Sequence, residues 1–332
     1  MQGVSGILEE FGVAFGVAIR SKTPTMVAGL ELAYIGIDFC VNGISDVKCY
    51  LVPDATASRK EQTTLQKALV ERIGPLLPDR SLNILRDDDN LRFLDLSFSV
   101  SLLSGNPDAR QRLVFRTENG NSVHLLERVV SLTGWTNQLS GILQVSDLIQ
   151  SKLDSRRCPL HFVGVTVEDG DIEELKVYFL AWTFSDPNCI EGVNDWNRNM
   201  RLLRCLLPTL GLQAHWGTLA RCSVRIQHLG GRIELLGCNY YRDRTSLFKV
   251  YYWFPFDCDI PRLIELNREV CKFLGYPPGT TDDVFRFFGE KGFRARCLAL
   301  AMDRTGNLAL KLYFQSEFFS QRRSAPPSRV AL

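Results

Sequence analysis

The chain has 332 residues, of which 45% are hydrophobic and 23% charged, enough apolar material for a sizeable core in one or two domains. Thirty-nine Lys and Arg against 37 Asp and Glu leave a formal charge of +2, too little for a strongly basic surface that seeks nucleic acid. No run approaches the roughly 18 apolar residues of a membrane span. Residues 1–22 lack the plan of a signal peptide, because Glu9 and Glu10 interrupt their only apolar stretch. None of the ten cysteines forms a C-x-x-C pair, and the expectation is reduced, mostly buried thiols in a cytoplasmic protein.

In chain order, a weak helical stretch near the N-terminus is followed by alternating strand pairs and helical intervals. Strand-like runs lie at 34–40, 93–103, 162–167, 233–240 and 296–302. Each leads across a polar or glycine-bearing turn, such as Asn42-Gly43 or Asp303-Arg304-Thr305-Gly306-Asn307, into a second run, which is hairpin chemistry. The second runs echo one another as Val47-Lys48-Cys49-Tyr50-Leu51, Leu175-Lys176-Val177-Tyr178-Phe179, Phe248-Lys249-Val250-Tyr251-Tyr252 and Leu310-Lys311-Leu312-Tyr313-Phe314. The interval from Lys48 to Lys176 is roughly twice the others, so a missing member belongs near residue 112. Gln111-Arg112-Leu113-Val114-Phe115 fills that place, with Val114 where the others have tyrosine. Helical spacing occupies 63–77, 123–132, 194–207 and 260–274.

A hairpin with one helix cannot bury its own apolar faces, so five such units must associate. Closing ten antiparallel strands into one barrel removes the exposed edges and leaves the helices to cover its outside. The expected architecture is therefore α+β, a ten-stranded antiparallel barrel surrounded by α-helices in five ααββ-type repeats. It would occupy residues 1–319 as one domain, with 320–332 a disordered tail.

Alternation along each strand assigns faces. The residues flanking each lysine are apolar and suit a layer of helices, while lysine and tyrosine, two apart, share the opposite face. That face is the lumen, and a ten-stranded barrel leaves room in it for a ligand. Lys48, Arg112, Lys176, Lys249 and Lys311 would all point inward, together with Trp182 and Trp253 on the tyrosine parity. Asp38 and Asp95 would pair some of these cations, but with Arg232, Arg294 and Arg296 the basic groups prevail, and such a lumen calls for a polyanion. Interleaved tyrosines attract a cation through their faces and bond an anionic oxygen through their hydroxyls. A prenyl diphosphate uses both properties, since it is anionic at one end and becomes a carbocation at the other.

The K-x-Y strands, the helix-hairpin units and the length resemble the aromatic prenyltransferases of the ABBA type, whose fold is a ten-stranded antiparallel barrel with helices outside. Leu30-Glu31-Leu32-Ala33-Tyr34 followed by Val47-Lys48-Cys49-Tyr50-Leu51-Val52-Pro53 is similar to the first repeat of their indole-modifying branch, the dimethylallyltryptophan synthase-like enzymes. The likeness spans nearly the whole chain and draws its weight from recurrence in phase. It implies that Lys48, Arg112, Lys176, Lys249 and Lys311, with Arg232 and Arg296, grip the diphosphate of a dimethylallyl or geranyl donor. Tyr50, Tyr178, Tyr251 and Tyr313 would shield the allylic cation, and Trp182 and Trp253 would line the pocket of an aromatic acceptor, most readily an indole. Glu31 is the implied base, with Asp38 the second candidate. The two fall on opposite faces of an unbroken strand, so both point inward only if a bulge intervenes.

Ile37-Asp38-Phe39 and Leu94-Asp95-Leu96 are also similar to the Leu-Asp-Phe strand of the phenol-modifying, magnesium-using branch, which leaves Mg2+ open as a cofactor held by Asp38 or Asp95. A competing reading is a non-catalytic barrel for an anionic lipid or nucleotide, and a third is an RNA-binding repeat protein, disfavoured by the near-neutral charge. Asp87-Asp88-Asp89-Asn90 and Asp282-Asp283 lack the last carboxylate of a D-D-x-x-D motif, and the four histidines have no metal-ligand spacing. His215-Trp216 reads as loop packing rather than acceptor pocket. Gly230-Gly231 precedes a strand and so does not fit a phosphate loop.

Overall fold

A computed structural model describes residues 4–17, 30–53, 97–101, 110–116, 122–168, 171–185, 192–242, 246–255 and 258–316. The expected helix at 63–77, Asp95 and the expected tail at 320–332 lie outside these residues. The described strands are β1 (Leu30–Cys40), β2 (Gly43–Pro53), β3 (Ser97–Ser101), β4 (Arg110–Arg116), β5 (Leu160–Glu168), β6 (Asp171–Leu180), β7 (Arg232–Tyr241), β8 (Leu247–Trp253), β9 (Phe293–Met302) and β10 (Leu308–Ser316). All neighbouring pairs are antiparallel, and the order β1-β10-β9-β8-β7-β6-β5-β4-β3-β2 closes into a barrel.

The helices are α1 (Val4–Phe15), α2 (Ser122–Thr133), α3 (Thr136–Leu153), α4 (Trp196–Thr209), α5 (Trp216–His228), α6 (Ile260–Leu274) and α7 (Pro278–Glu290). Each of the last three intervals between hairpins carries a pair of helices, so α3, α5 and α7 add to the segments picked out by helical spacing. The Pro278-Gly279-Thr280-Thr281 opening of α7 reads locally as a turn and hides the helix behind it. Helix α4 starts where the Asp195 carboxylate accepts from the Arg198 backbone N–H at 2.7 Å, and α6 stops at Gly275, whose φ of +72° suits a residue without a Cβ.

Two apolar clusters separate the faces of the sheet. The larger joins the helices to outward strand residues, including Val47, Cys49, Leu175, Val177, Phe248, Val250, Leu310 and Leu312, the side chains that flank the four lysines. On α6, Leu263, Leu266, Val270 and Cys271 supply its helical stripe. Helix α1 joins through Phe11 and Phe15, which pack on Phe287 and Phe288 of α7. The smaller cluster is the lumen wall, where Tyr251, Cys297 and Ala299 pack with Tyr178, Leu235, Trp253 and Tyr313. The alternation argument thus places lysine and tyrosine on the correct face.

Candidate active site

The lumen is built in layers set by strand register. One layer holds Lys48, Lys176, Lys249 and Lys311, and the hairpin partner opposite each is small: Gly36, Gly164, Gly237 and Ala299. Arg112 occupies the corresponding position of β4, opposite Ser99. These small residues make space for the tyrosines. A Cβ on Gly36 would come within 2.8 Å of Tyr50 Cε2, and one on Gly237 within 3.1 Å of Tyr251 Cε2.

The lysines are not left bare. The ammoniums of Lys48 and Lys311 both donate to Asp38 Oδ2, and Lys48 also lies 2.7 Å from Asp46. Lys176 pairs with Glu174 at 2.7 Å, and Glu174 further accepts from Thr166 at 2.7 Å and from the Asn239 amide, all four residues being buried. Burial alone would raise the Asp38 carboxyl, but Lys311 and Lys48 outweigh it and hold the group well below the usual carboxylate range. Asp46 and Glu174 went unremarked in the sequence, although each stands two residues before a lysine and hence on its face.

Next along the strands lies a continuous aromatic girdle. Tyr50, Tyr313, Tyr251 and Tyr178 follow one another with ring centroids 5.5, 6.1 and 5.9 Å apart, and Phe162 extends the row at 6.2 Å. Burial, then the neighbouring phenols and Asp38, push the Tyr313 hydroxyl well above its ordinary range, so it remains a neutral donor.

Beyond the girdle the wall changes character. Arg232 lies over the Trp182 ring at 5.2 Å and pairs with Glu234 at 3.0 Å, while Arg296 lies over Trp253 at 5.7 Å and donates to the Phe254 carbonyl. Tyr34 meets Trp253 edge-on at 5.9 Å and accepts from the Gln315 amide at 3.3 Å. Arg232 and Arg296 therefore do not join the lysines. Arg232 pairs with Trp253, four residues past Lys249, which is roughly 13 Å along the strand. Trp182 lies just past the end of β6, in a segment held by the bridge between Thr183 and Val193.

For the two candidate bases, a bulge between Leu32 and Tyr34 shifts the register of β1. Glu31 pairs with Val52, two residues past Tyr50, so the backbone puts Glu31 in phase with Tyr34 and Asp38 and removes the parity conflict. As for magnesium, among the described residues no group of three or more His, Cys, Asp or Glu side chains gathers where a metal ion could be held. Around Asp38, the ammoniums of Lys48 and Lys311 share Oδ2. His215 bonds the Asp303 carbonyl at 2.8 Å, in keeping with loop packing. The nine described cysteines are unbridged, with the buried Cys49, Cys222 and Cys238 thiols pushed up to about 12 by burial. No described helix is long and apolar enough to cross a membrane.

No protein-family model matches the chain, and no curated protein matches it in sequence. Solved structures do. The 5-dimethylallyltryptophan synthase from Streptomyces coelicolor aligns over 95% of this chain and 93% of its own, with TM-score 0.57 and 13% identity. NotF in complex with brevianamide F and DMSPP aligns over 93% and 87%, with TM-score 0.55 and 12% identity. The 6-dimethylallyltryptophan synthase from Micromonospora olivasterospora, in complex with DMASPP and Trp, aligns over 90% and 86%, with TM-score 0.52 and 14% identity. By architecture, the chain shares the fold of the dimethylallyltryptophan synthase type of aromatic prenyltransferase.

Proposed function

We propose that this protein is an aromatic prenyltransferase that moves a dimethylallyl or geranyl group from its diphosphate to an electron-rich aromatic small molecule, an indole being the favoured acceptor. The observation that carries this reading is the girdle of Tyr50, Tyr313, Tyr251 and Tyr178, set between a lysine layer and a tryptophan-lined end. Solved structures of the same fold bind DMASPP and Trp, or DMSPP and brevianamide F. We read the chain as five hairpin-and-helix units in one barrel domain, in a cytoplasmic protein.

In this mechanism the diphosphate lies against Lys48, Lys249, Lys311 and Arg112 and competes with Asp38 for two of those cations. As the C–O bond of the donor breaks, negative charge grows on the bridging oxygen and the ammoniums stabilise it. The girdle covers the allylic cation with aromatic faces, excludes water and donates phenolic hydrogen bonds to the departing diphosphate. Lys176, sequestered by Glu174, serves mainly to hold β5, β6 and β7 together. Trp182 and Trp253 hold the acceptor ring over the cation, and Glu31 bonds its N–H.

Incubation with dimethylallyl and geranyl diphosphate and a panel of indoles and phenols, read by mass spectrometry, tests the reading. A prenylated aromatic with stoichiometric diphosphate supports it. Donor binding without transfer to any acceptor would overturn it in favour of a binding barrel.

A further inference from the structure

Four strands of the barrel carry a register shift at the same height, one residue before the partner of a girdle position. The residue passed over is Ala33 in β1, His161 in β5, Glu234 in β7 and Arg296 in β9. Such a bulge re-aims the side chain it displaces. On β7 the result is specific: Leu235 packs in the lumen against Tyr251, and its neighbour Glu234 also turns toward the tryptophan end. There Arg232 of its own strand pairs with it, Trp182 after β6 and Arg296 and Cys297 of β9 act on it, and Trp253 of β8 lies opposite Arg232.

The described carboxylates of the lumen divide by the cation that holds them, lysine ammoniums on one side of the girdle and a guanidinium on the other. Asp38, Asp46 and Glu174 lie on the lysine side and each binds at least one ammonium. For Asp38 the two lysines outweigh burial and hold the carboxyl well below the usual carboxylate range. Beyond the girdle, Glu234 is held instead by a guanidinium, that of Arg232 at 3.0 Å. Burial raises its carboxyl, and Arg232, Trp182 and Arg296 offset this only in part. That direction moves a carboxylate toward the range where a general base is effective at neutral pH.

We propose that Glu234 accepts the proton lost by the acceptor ring. This rests on the prenyl-transfer reading above and assigns a separate residue from Glu31, which would hold the acceptor N–H. In the step, a bond forms between the donor's C1 and an aromatic carbon as the C1–O pair leaves with diphosphate. The C–H pair at that carbon then returns to the ring, and its proton passes to a carboxylate oxygen of Glu234. No other reactant is needed.

The test compares wild type, Glu234→Gln and Glu234→Asp on whichever donor and indole the wild type uses, with kcat measured against pH. Expected for Glu234→Gln is a kcat lower by about 10²- to 10⁴-fold, unchanged donor KM, and loss of the acid limb on which wild-type rate falls as Glu234 protonates. Glu234→Asp should restore part of the rate and the limb, and thermal melts of both variants should overlay wild type. Wild-type turnover with an unaltered rate and pH profile in Glu234→Gln would overturn this proposal alone. If Glu234→Gln unfolds, a Glu234→Ala variant that folds and keeps the wild-type rate and pH profile does the same. A wild type without product would overturn the prenyl-transfer reading, and this proposal with it.

Discussion

The two ends of the lumen solve the problem of buried charge in opposite ways. At the lysine end, cations are matched by carboxylates on adjacent strands, Asp38 serving two lysines at once and Glu174 one, and the groups are almost wholly buried. At the tryptophan end, guanidiniums spread over indole faces and the Glu234 carboxylate is paired to an arginine whose side chain is 55% exposed. Buried ion pairs are costly to break because the survivor stays charged without water, whereas an exposed pair contributes little. The lysine end should therefore be the stiff end, and the tryptophan end the one free to adapt to an acceptor.

The strongest way to break this contrast is Asp38→Asn. It leaves Lys48 and Lys311 without their shared counter-charge and should cost about 3–5 kcal/mol, measured by chemical denaturation at neutral pH. The pH dependence follows from the same pair. Because the folded carboxyl is held low, its contribution is full above the unfolded value and is lost as pH falls below about 4. Asp38→Asn should flatten the acid branch of the stability curve. Next comes Lys176→Met, which strands Glu174 and should destabilise by several kcal/mol. Adding Glu174→Leu should recover much of that loss, and a double variant no better than the single would contradict the ion-pair account.

Gly36→Ala should be milder in stability, about 1–3 kcal/mol by overpacking against Tyr50, but visible in chemistry. Displacing one ring opens the girdle, so the fraction of donor released as prenyl alcohol should rise. The smallest effect on stability is expected from Arg232→Ala, about 1 kcal/mol or less, with its consequence showing as a raised acceptor KM. Equal destabilisation by Asp38→Asn and Arg232→Ala would erase the distinction between the two ends.

Much of the scaffold was legible because it follows from alternation. A lysine and a tyrosine two apart, flanked by apolar residues, define which face meets the helices, and the same rule would have found Asp46 and Glu174. Gly36, Gly164 and Gly237 carry a weaker signal, since their meaning emerges only once strand pairing sets each opposite a lysine. The bulges had no signature at all. Ala33, His161, Glu234 and Arg296 share neither size nor charge, because the register shift is imposed by closure and twist of the barrel rather than by the displaced residue. That is why Arg296 was grouped with the lysines and Glu234 was missed, whereas Arg232 is set apart by its distance from Lys249 along the strand, which only strand pairing supplies.

The central claim is that the lumen is polar in one direction, with diphosphate at the lysines, prenyl chain beneath the tyrosines and acceptor against the tryptophans. A crystal structure of the protein with a thiolodiphosphate analogue of the donor and an indole tests it most directly. The account predicts phosphate oxygens on Lys48, Lys249 and Lys311, with C1 under the girdle. Phosphate bound instead to Arg232 and Arg296, or outside the barrel, would contradict it.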